Sequence, residues 1–338
     1  MRNFQSMLLS TLLLFFCYAP NCMSAFPIAD RTSNDQAWLV SEPLQIDNMN
    51  ISGITINKDW LFLASDEGNQ IEVLKRTQNQ QWQFHSLITL TNNPNEIDIE
   101  ALAWQAPYLY ALGSHSAKRK KIKAGLSEKE NIKRLQKVYP EPDRQQLFRI
   151  ELDNQSKVQQ IESLSLTTEL SKHPILKSFV GIPSKENGID IEGLAIDKKS
   201  RLLLGFRGPV LRGNIAIVLR VQLAKKAFKI KKTKTLYFNA QGRGVRGLSE
   251  SDQGILVLAG PVGDQLMSYQ VYLWDGKNAL NGKDQTPNGL QYLCDLPDTG
   301  GKPEGIEFIK FNQNSIEFVV VNDGLTNGKP TQFQCPLP

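Results

Sequence analysis

From residue 50 onward the apolar positions come in short runs rich in β-branched and aromatic residues, broken by Gly, Asn, Asp and Pro. That punctuation marks antiparallel strands joined by tight turns. The runs fall into groups of four. Ser52 to Ile56, Leu61 to Ser65, Ile71 to Lys75 and Phe84 to Leu90 make the first. Ile99 to Trp104, Leu109 to Ser114, Gln146 to Leu152 and Lys157 to Leu164 make the second. The third runs through Ile191 to Ile196, Leu202 to Phe206, Ala216 to Val221 and Phe228 to Phe238. The fourth holds Val245 to Ser249, Ile255 to Ala259, Tyr269 to Trp274 and Leu290 to Cys294. A fifth group, Gly305 to Ile309, Ile316 to Val321 and Thr331 to Cys335, stops one strand short, and Ala37 to Ile46 is the candidate for the missing strand. Closing a ring of small sheets with a strand from the opposite terminus removes exposed edges. The pattern predicts an all-β chain, a β-propeller of five four-stranded blades closed by an N-terminal strand, with six blades as the alternative.

Each group opens on one phrase. Ile97-Asp98-Ile99-Glu100-Ala101-Leu102-Ala103 returns as Ile189-Asp190-Ile191-Glu192-Gly193-Leu194-Ala195. Looser copies stand at Asn50-Ile51-Ser52-Gly53-Ile54, Gly244-Val245-Arg246-Gly247-Leu248 and Lys302-Pro303-Glu304-Gly305-Ile306. The copies are about 48, 92, 54 and 58 residues apart, the spacing of a repeat architecture. The long interval carries two insertions, at about 115–144 and 167–188, and is where a sixth blade would hide. The first insertion has nine Lys or Arg between Lys118 and Lys137 against Glu128 and Glu130, and Leu126, Ile132 and Leu135 are spaced for a short amphipathic helix. The second suggests a helix around Ile175 to Val180.

The N-terminus departs from this pattern. Arg2 precedes an apolar run from Met7 to Tyr18, and Ser24 and Ala25 follow. This reads as a signal peptide over 1–25, leaving one domain over 26–338 in the periplasm or outside the cell. No later run is apolar for long enough to cross a membrane. The expected product is a soluble monomer. Export removes Cys17 and Cys22, so Cys294 and Cys335 are expected to form a disulfide, the alternative being two buried thiols.

Two further stretches carry a resemblance. Asp190-Ile191-Glu192-Gly193-Leu194-Ala195 is followed by Leu202-Leu203-Leu204-Gly205-Phe206-Arg207-Gly208-Pro209-Val210-Leu211-Arg212-Gly213. Gly113-Ser114-His115-Ser116 precedes the basic run, and Ala259-Gly260-Pro261 and Pro303-Glu304-Gly305 follow later. Together these resemble the signatures of a bacterial family, domain of unknown function 3616, over most of the chain. The resemblance implies an exported propeller-like protein and supplies no activity. A weaker likeness in blade phrasing to propellers labelled esterase-like or phytase-like is fold-level analogy.

In a propeller the innermost strands line a channel, and their entering loops share a face with the loops between second and third strands. Asp98 and Glu100 lie two apart on a strand, hence on one side of it, and Asp190 and Glu192 repeat this. Glu304 holds the glutamate place in the fifth copy and Arg246 in the fourth. These five carboxylates are candidate ligands for a hard cation such as Ca²⁺, which takes six to eight oxygens. The alternative is bonding to backbone N–H groups of neighbouring blades. Arg207, Arg212, Arg243 and Arg246, with His115 and Lys118, would suit a phosphate or carboxylate through forked hydrogen bonds. Equally, the arginines would pair with Asp98, Asp190 and Glu192 and bind nothing.

The function expected is binding of an anionic small molecule at the channel mouth, with or without a divalent cation. One alternative is metal-assisted hydrolysis of a phosphoester or ester; the other is a noncatalytic scaffold for a protein or envelope polymer. Three histidines, no Gly-x-Ser-x-Gly elbow and few cysteines argue against a serine or cysteine nucleophile and against zinc. The formal charge of +5 comes with 41% hydrophobic and 22% charged residues, without the interleaved aromatics that nucleic acid binding would want.

Overall fold

The computed structural model describes residues 27–31, 38, 40–79, 81–282 and 289–337. The expected signal peptide, 1–25, lies outside the described residues. Five four-stranded antiparallel sheets form the molecule. Blade 1 holds Ile51–Asn57, Trp60–Ser65, Gln70–Arg76 and Trp82–Thr89. Blade 2 holds Ile99–Gln105, Tyr108–Gly113, Leu147–Leu152 and Val158–Leu164. Blade 3 holds Asp190–Ile196, Leu202–Gly208, Ile215–Ala224 and Ala227–Asn239, and blade 4 Gly244–Ser251, Gly254–Gly260, Gln270–Trp274 and Leu290–Asp295. Blade 5 is built from Lys302–Phe311, Ser315–Asp323 and Thr331–Pro336, with Asp30–Arg31 as its outermost strand. The innermost strands contact one another in the order of the blades, and the fifth returns to the first.

This position explains their composition. An innermost strand is covered on both faces by neighbouring blades, so all seven residues of Asp190–Ile196 are buried. The outermost Ala227–Asn239 faces solvent, and Lys229, Lys231, Lys232 and Lys234 stand exposed along it, which blunts a free sheet edge. Five apolar clusters fill the seams, each drawn from two adjacent blades.

The glycine and the aliphatic residue of the repeated phrase are two halves of that seam. A Cβ on Gly193 would lie 2.8 Å from Leu248 Cγ, and one on Gly247 would lie 3.0 Å from Ile306 Cγ2. Gly53 stands in the same relation to Leu102, and Gly305 to Ile54. At four of the five seams a blade thus seats its aliphatic side chain where the preceding blade has no side chain; blade 2 carries Ala101 at that place. Gly193→Ala is expected to lower the unfolding free energy by about 1–3 kcal/mol through overpacking. Urea unfolding checks this; an unchanged midpoint would show that the seam has slack.

The five-blade expectation holds, and one expectation needs correction. The closing strand is Asp30–Arg31, which pairs antiparallel with Phe333 and Gln334, and not Ala37 to Ile46. Within the described part of that segment, Val40 makes a single parallel bridge to Trp82, while Leu44 and Ile46 plug the seam between blades 5 and 1. Pro43 carries no N–H for a ladder, and the Glu72 carboxylate accepts from the backbone N–H groups of Gln45 (2.6 Å) and Ile46 (3.1 Å) instead. The sixth blade is absent among the described residues. The long interval is taken by the helix Thr167–Lys172 and a 3₁₀ turn Leu176–Phe179, whose buried Leu170 and Leu176 roof the seam between blades 2 and 3.

The basic insertion is a two-stranded hairpin, Lys118–Arg119 with Val138–Tyr139, that carries the helix Glu128–Gln136. Ser127 and Glu130 form a capping box at its start, and no residue of the helix is buried. Cys294 and Cys335 form a disulfide joining the outermost strand of blade 4 to the third strand of blade 5. Among the described residues no helix is long and apolar enough to cross a membrane.

Candidate functional site

Every blade breaks the register between its first two strands at the same place. The ladders skip Ser52, Glu100, Glu192, Arg246 and Glu304. A bulge leaves one residue outside the ladder and re-aims its side chain. Four of these five side chains line one cavity of about 1400 Å³ at the channel mouth. The fifth, Ser52, is fully buried and donates its hydroxyl to the Ile99 carbonyl. Two residues upstream, Asp98 and Asp190 add a second tier to the same cavity. Asp98 sits at φ +59°, a conformation aspartate tolerates better than most residues, and accepts from the Ser114 hydroxyl.

The arginines turn inward. Arg207 pairs with Asp190 and, at 2.6 Å, with Glu192. Arg246 Nη1 lies 2.7 Å from Glu192 and 3.2 Å from Glu304, bridging them. Arg144 holds Asp98 at 2.8 Å and also meets Glu96. Among the described residues, five buried carboxylates (Asp98, Glu100, Asp190, Glu192, Glu304) thus face three guanidinium groups, and the floor keeps an acidic excess.

Glu100 carries that excess. It is 8% exposed, lines the cavity, and among the described residues has no hydrogen bond or ion pair. Burial, then the charges of Glu192, Asp98, Asp190 and Glu304, push its carboxyl well above the usual range. Oxygens of Glu100, Asp190 and Glu192 lie within 4.8 Å of one another, close enough to share one ion. Burial also raises Asp190 to about 7 against the pull of Arg207. Glu304 rises to about 7 against Arg246. Asp66, at the edge of the floor, is pushed up to about 8 by burial and then by Glu304 and Asp98.

The other residues expected at the site are dispersed. Lys118 lines the cavity rim. His115 is buried behind it: Nδ1 lies 2.8 Å from the Gly113 carbonyl, and Nε2 accepts from the Leu166 N–H at 3.2 Å. Both ring nitrogens are taken, and burial lowers its pKa to about 4. Arg243 is turned aside, donating to the Ser268 carbonyl and hydroxyl at 2.8 and 2.9 Å. Arg212 lies beyond the Gly208-Pro209 turn, exposed and outside the cavity lining. Sequence reasoning missed Arg144, which comes from a 3₁₀ turn in the insertion, 46 positions from Asp98. The rim is basic, with Lys120, Lys121, Lys123, Lys185 and Lys302 around the mouth.

These shifts predict a pH dependence. Acids raised in the folded chain keep protons that the unfolded chain has released, so stability falls as pH rises towards the folded values. Above pH 6.5 His115 is neutral in the folded chain and mostly neutral in the unfolded one, so it opposes the trend only weakly. In chelator the melting temperature is expected to fall from pH 6.5 to 8, less steeply for Glu100→Gln. A flat or rising curve would contradict the assigned directions.

The sequence matches the family described as Protein of unknown function (DUF3616) over residues 50–333. No curated protein matches it. Among solved structures, the endo-arabinase from Bacteroides thetaiotaomicron aligns at 11% identity and a TM-score of 0.45, over 89% of this chain and 97% of that one. The PQQ-bound aldose sugar dehydrogenase from Streptomyces coelicolor aligns at 10% identity and 0.41, over 88% and 97%. The GH43 endo-arabinanase from Bacillus licheniformis aligns at 13% identity and 0.39, over 89% and 97%.

Proposed function

The chain belongs to the family Protein of unknown function (DUF3616), and because that membership assigns no activity, we propose one from the site: the channel mouth binds a hard divalent cation together with an anionic small molecule. The observation that carries this is Glu100, a nine-tenths buried carboxylate without a hydrogen bond or ion pair among the described residues, facing the cavity beside Asp190 and Glu192. Leaving a carboxylate ionised there is costly without a counter-charge. A cation such as Ca²⁺ supplies it, taking carboxylate oxygens and completing its shell with water and ligand oxygens. The arginines complement the floor and are not free to hold an anion. The lysines of the rim take that part, attracting a phosphate- or carboxylate-bearing molecule whose oxygens reach the cation.

One observation favours a hydrolytic extension of this reading. Asp66 lines the same cavity, and burial pushes its carboxyl up to about 8, so it would hold a proton for a leaving group while a bound cation would polarise a phosphoryl or ester oxygen. The disulfide fits an oxidising compartment, and export directed by residues 1–25 is part of the proposal.

The test is a melting curve at pH 7.5 with Ca²⁺, Mg²⁺ or Mn²⁺ against chelator. At a cation concentration of about a hundred times Kd the wild type gains about 2.7 kcal/mol. Glu100→Gln is expected to be more stable than wild type in chelator and to show no cation shift. Wild type that shifts with none of these ions would refute the cation, and an equal shift in Glu100→Gln would refute this location.

A further inference from the structure

Exposed apolar side chains stand at the mouth of the cavity and on the basic arm beside it, and among the described residues none covers them. Ile122, 62% exposed, stands between Lys121 and Lys123 on the basic hairpin. Leu135, 47% exposed, and Ile132, 45% exposed, are three apart on the helix Glu128–Gln136, and therefore on one face of it. Across the mouth, Leu266 is fully exposed on the loop after blade 4's second strand, and it lines the same cavity as Leu135. The fold leaves these residues out of its core: the helix buries none of its nine residues, and it is held by its cap, the hairpin and polar contacts such as Asn131 with the Lys123 backbone at 2.9 and 3.0 Å.

The charge on the basic arm is mostly positive. Nine cations between Lys118 and Lys137 face two glutamates in that stretch. Of these cations only Arg119 is in an ion pair among the described residues, with Glu186. Lys120 and Lys137 lie over the ring of Tyr139, at 4.6 and 4.5 Å, which keeps an aromatic ring and two ammonium groups together at the base of the arm.

We infer that this rim is a peripheral docking surface for an anionic lipid layer. Aliphatic tips flanked by ammonium groups match the boundary between acyl chains and acidic headgroups: the tips enter the boundary while the lysines stay at headgroup level. Each Lys or Arg near such a surface contributes about 1 kcal/mol at ordinary ionic strength. A soluble polyanion would use the lysines and gain nothing from Ile122, Leu135 or Leu266, so the apolar set distinguishes the two partners. Docking in this orientation turns the cavity towards the lipid headgroups.

The experiment is co-sedimentation of the chain with vesicles of phosphatidylglycerol and phosphatidylcholine in roughly equal parts, against phosphatidylcholine alone, in chelator and at low and high salt. Wild type is expected to pellet with the anionic vesicles only, and to be released as salt rises. Lys120→Glu/Lys121→Glu/Lys123→Glu should lower partitioning at least about tenfold, and Ile122→Ser/Leu135→Ser/Leu266→Ser several-fold, both with unchanged melting temperature. The serine variant keeps the calcium shift, so failure of docking and failure of the cation site are read separately. Wild type left in the supernatant overturns the inference. So does a serine variant that pellets as well as wild type, an outcome that identifies a simple polyanion surface.

Discussion

Arg246→Met is expected to destabilise the chain by about 3–5 kcal/mol at pH 7.5, the cost of removing one partner from a buried ion pair. A single guanidinium nitrogen lies within 2.7 Å of Glu192 and 3.2 Å of Glu304. Methionine fills much of the volume but leaves two carboxylates facing each other across the channel. Glu304 already sits near 7 through burial, despite Arg246; without the arginine it would hold its proton to still higher pH. The deficit is largest above pH 7, where the unfolded chain has Glu304 ionised at no cost. It shrinks towards pH 5 as the folded chain keeps the Glu304 proton. Urea unfolding at the two pH values measures it, and the pair Arg246→Met/Glu192→Gln should recover part of the loss. An equal loss at both pH values would assign the effect to packing and sink the electrostatic account.

Loss of the Cys294–Cys335 bond should have the second large effect. The bond closes a loop with a sequence separation of 41, which corresponds to about 4 kcal/mol in the chain-entropy account. Both cysteines are fully buried, so Cys294→Ala/Cys335→Ala adds a small packing loss. The location makes the effect local as well as global. The N-terminal segment bridges Ile28 to Asp295 and pairs Asp30 with Gln334, the immediate neighbours of the two cysteines. Hydrogen exchange is therefore expected to rise first in Leu290–Asp295 and Thr331–Pro336 when the bond is absent. A uniform rise across all blades, with no excess at these strands, would show that the bond acts only through the unfolded chain.

Much of the ring was legible because a repeated phrase marks the innermost strand of each blade, and because strand runs and turn residues alternate strongly. The disulfide was legible once two cysteines were assigned to a leader. The closing strand was not: Asp30–Arg31 is two residues long and has no periodicity to read. The alternation of Val40, Leu44 and Ile46 imitates a strand, although it serves to plug a seam around Pro43. The carboxylates of the floor were found from their spacing alone. Their partners were found less well, since pairing depends on which way a side chain leaves its turn. Arg207 ends on a strand and points to Asp190, whereas Arg212, past the Gly-Pro turn, does not. His115, at φ +56°, is directed into the seam between blades 2 and 3, and no local pattern signals that. Arg144 reaches Asp98 from an insertion, a contact that only the tertiary fold makes.

The five bulges have a consequence for how such a channel can change. At each bulge the side chain already stands outside the ladder, so exchanging it disturbs no strand pairing. Glu100, Glu192, Arg246 and Glu304 are in effect four sockets on one frame, and the guanidinium of Arg246 plugs into one of them as a built-in cation. Rewriting these sockets in matched pairs would retune the charge of the channel, from acidic through balanced to basic, while the strand pairing around it stays as it is.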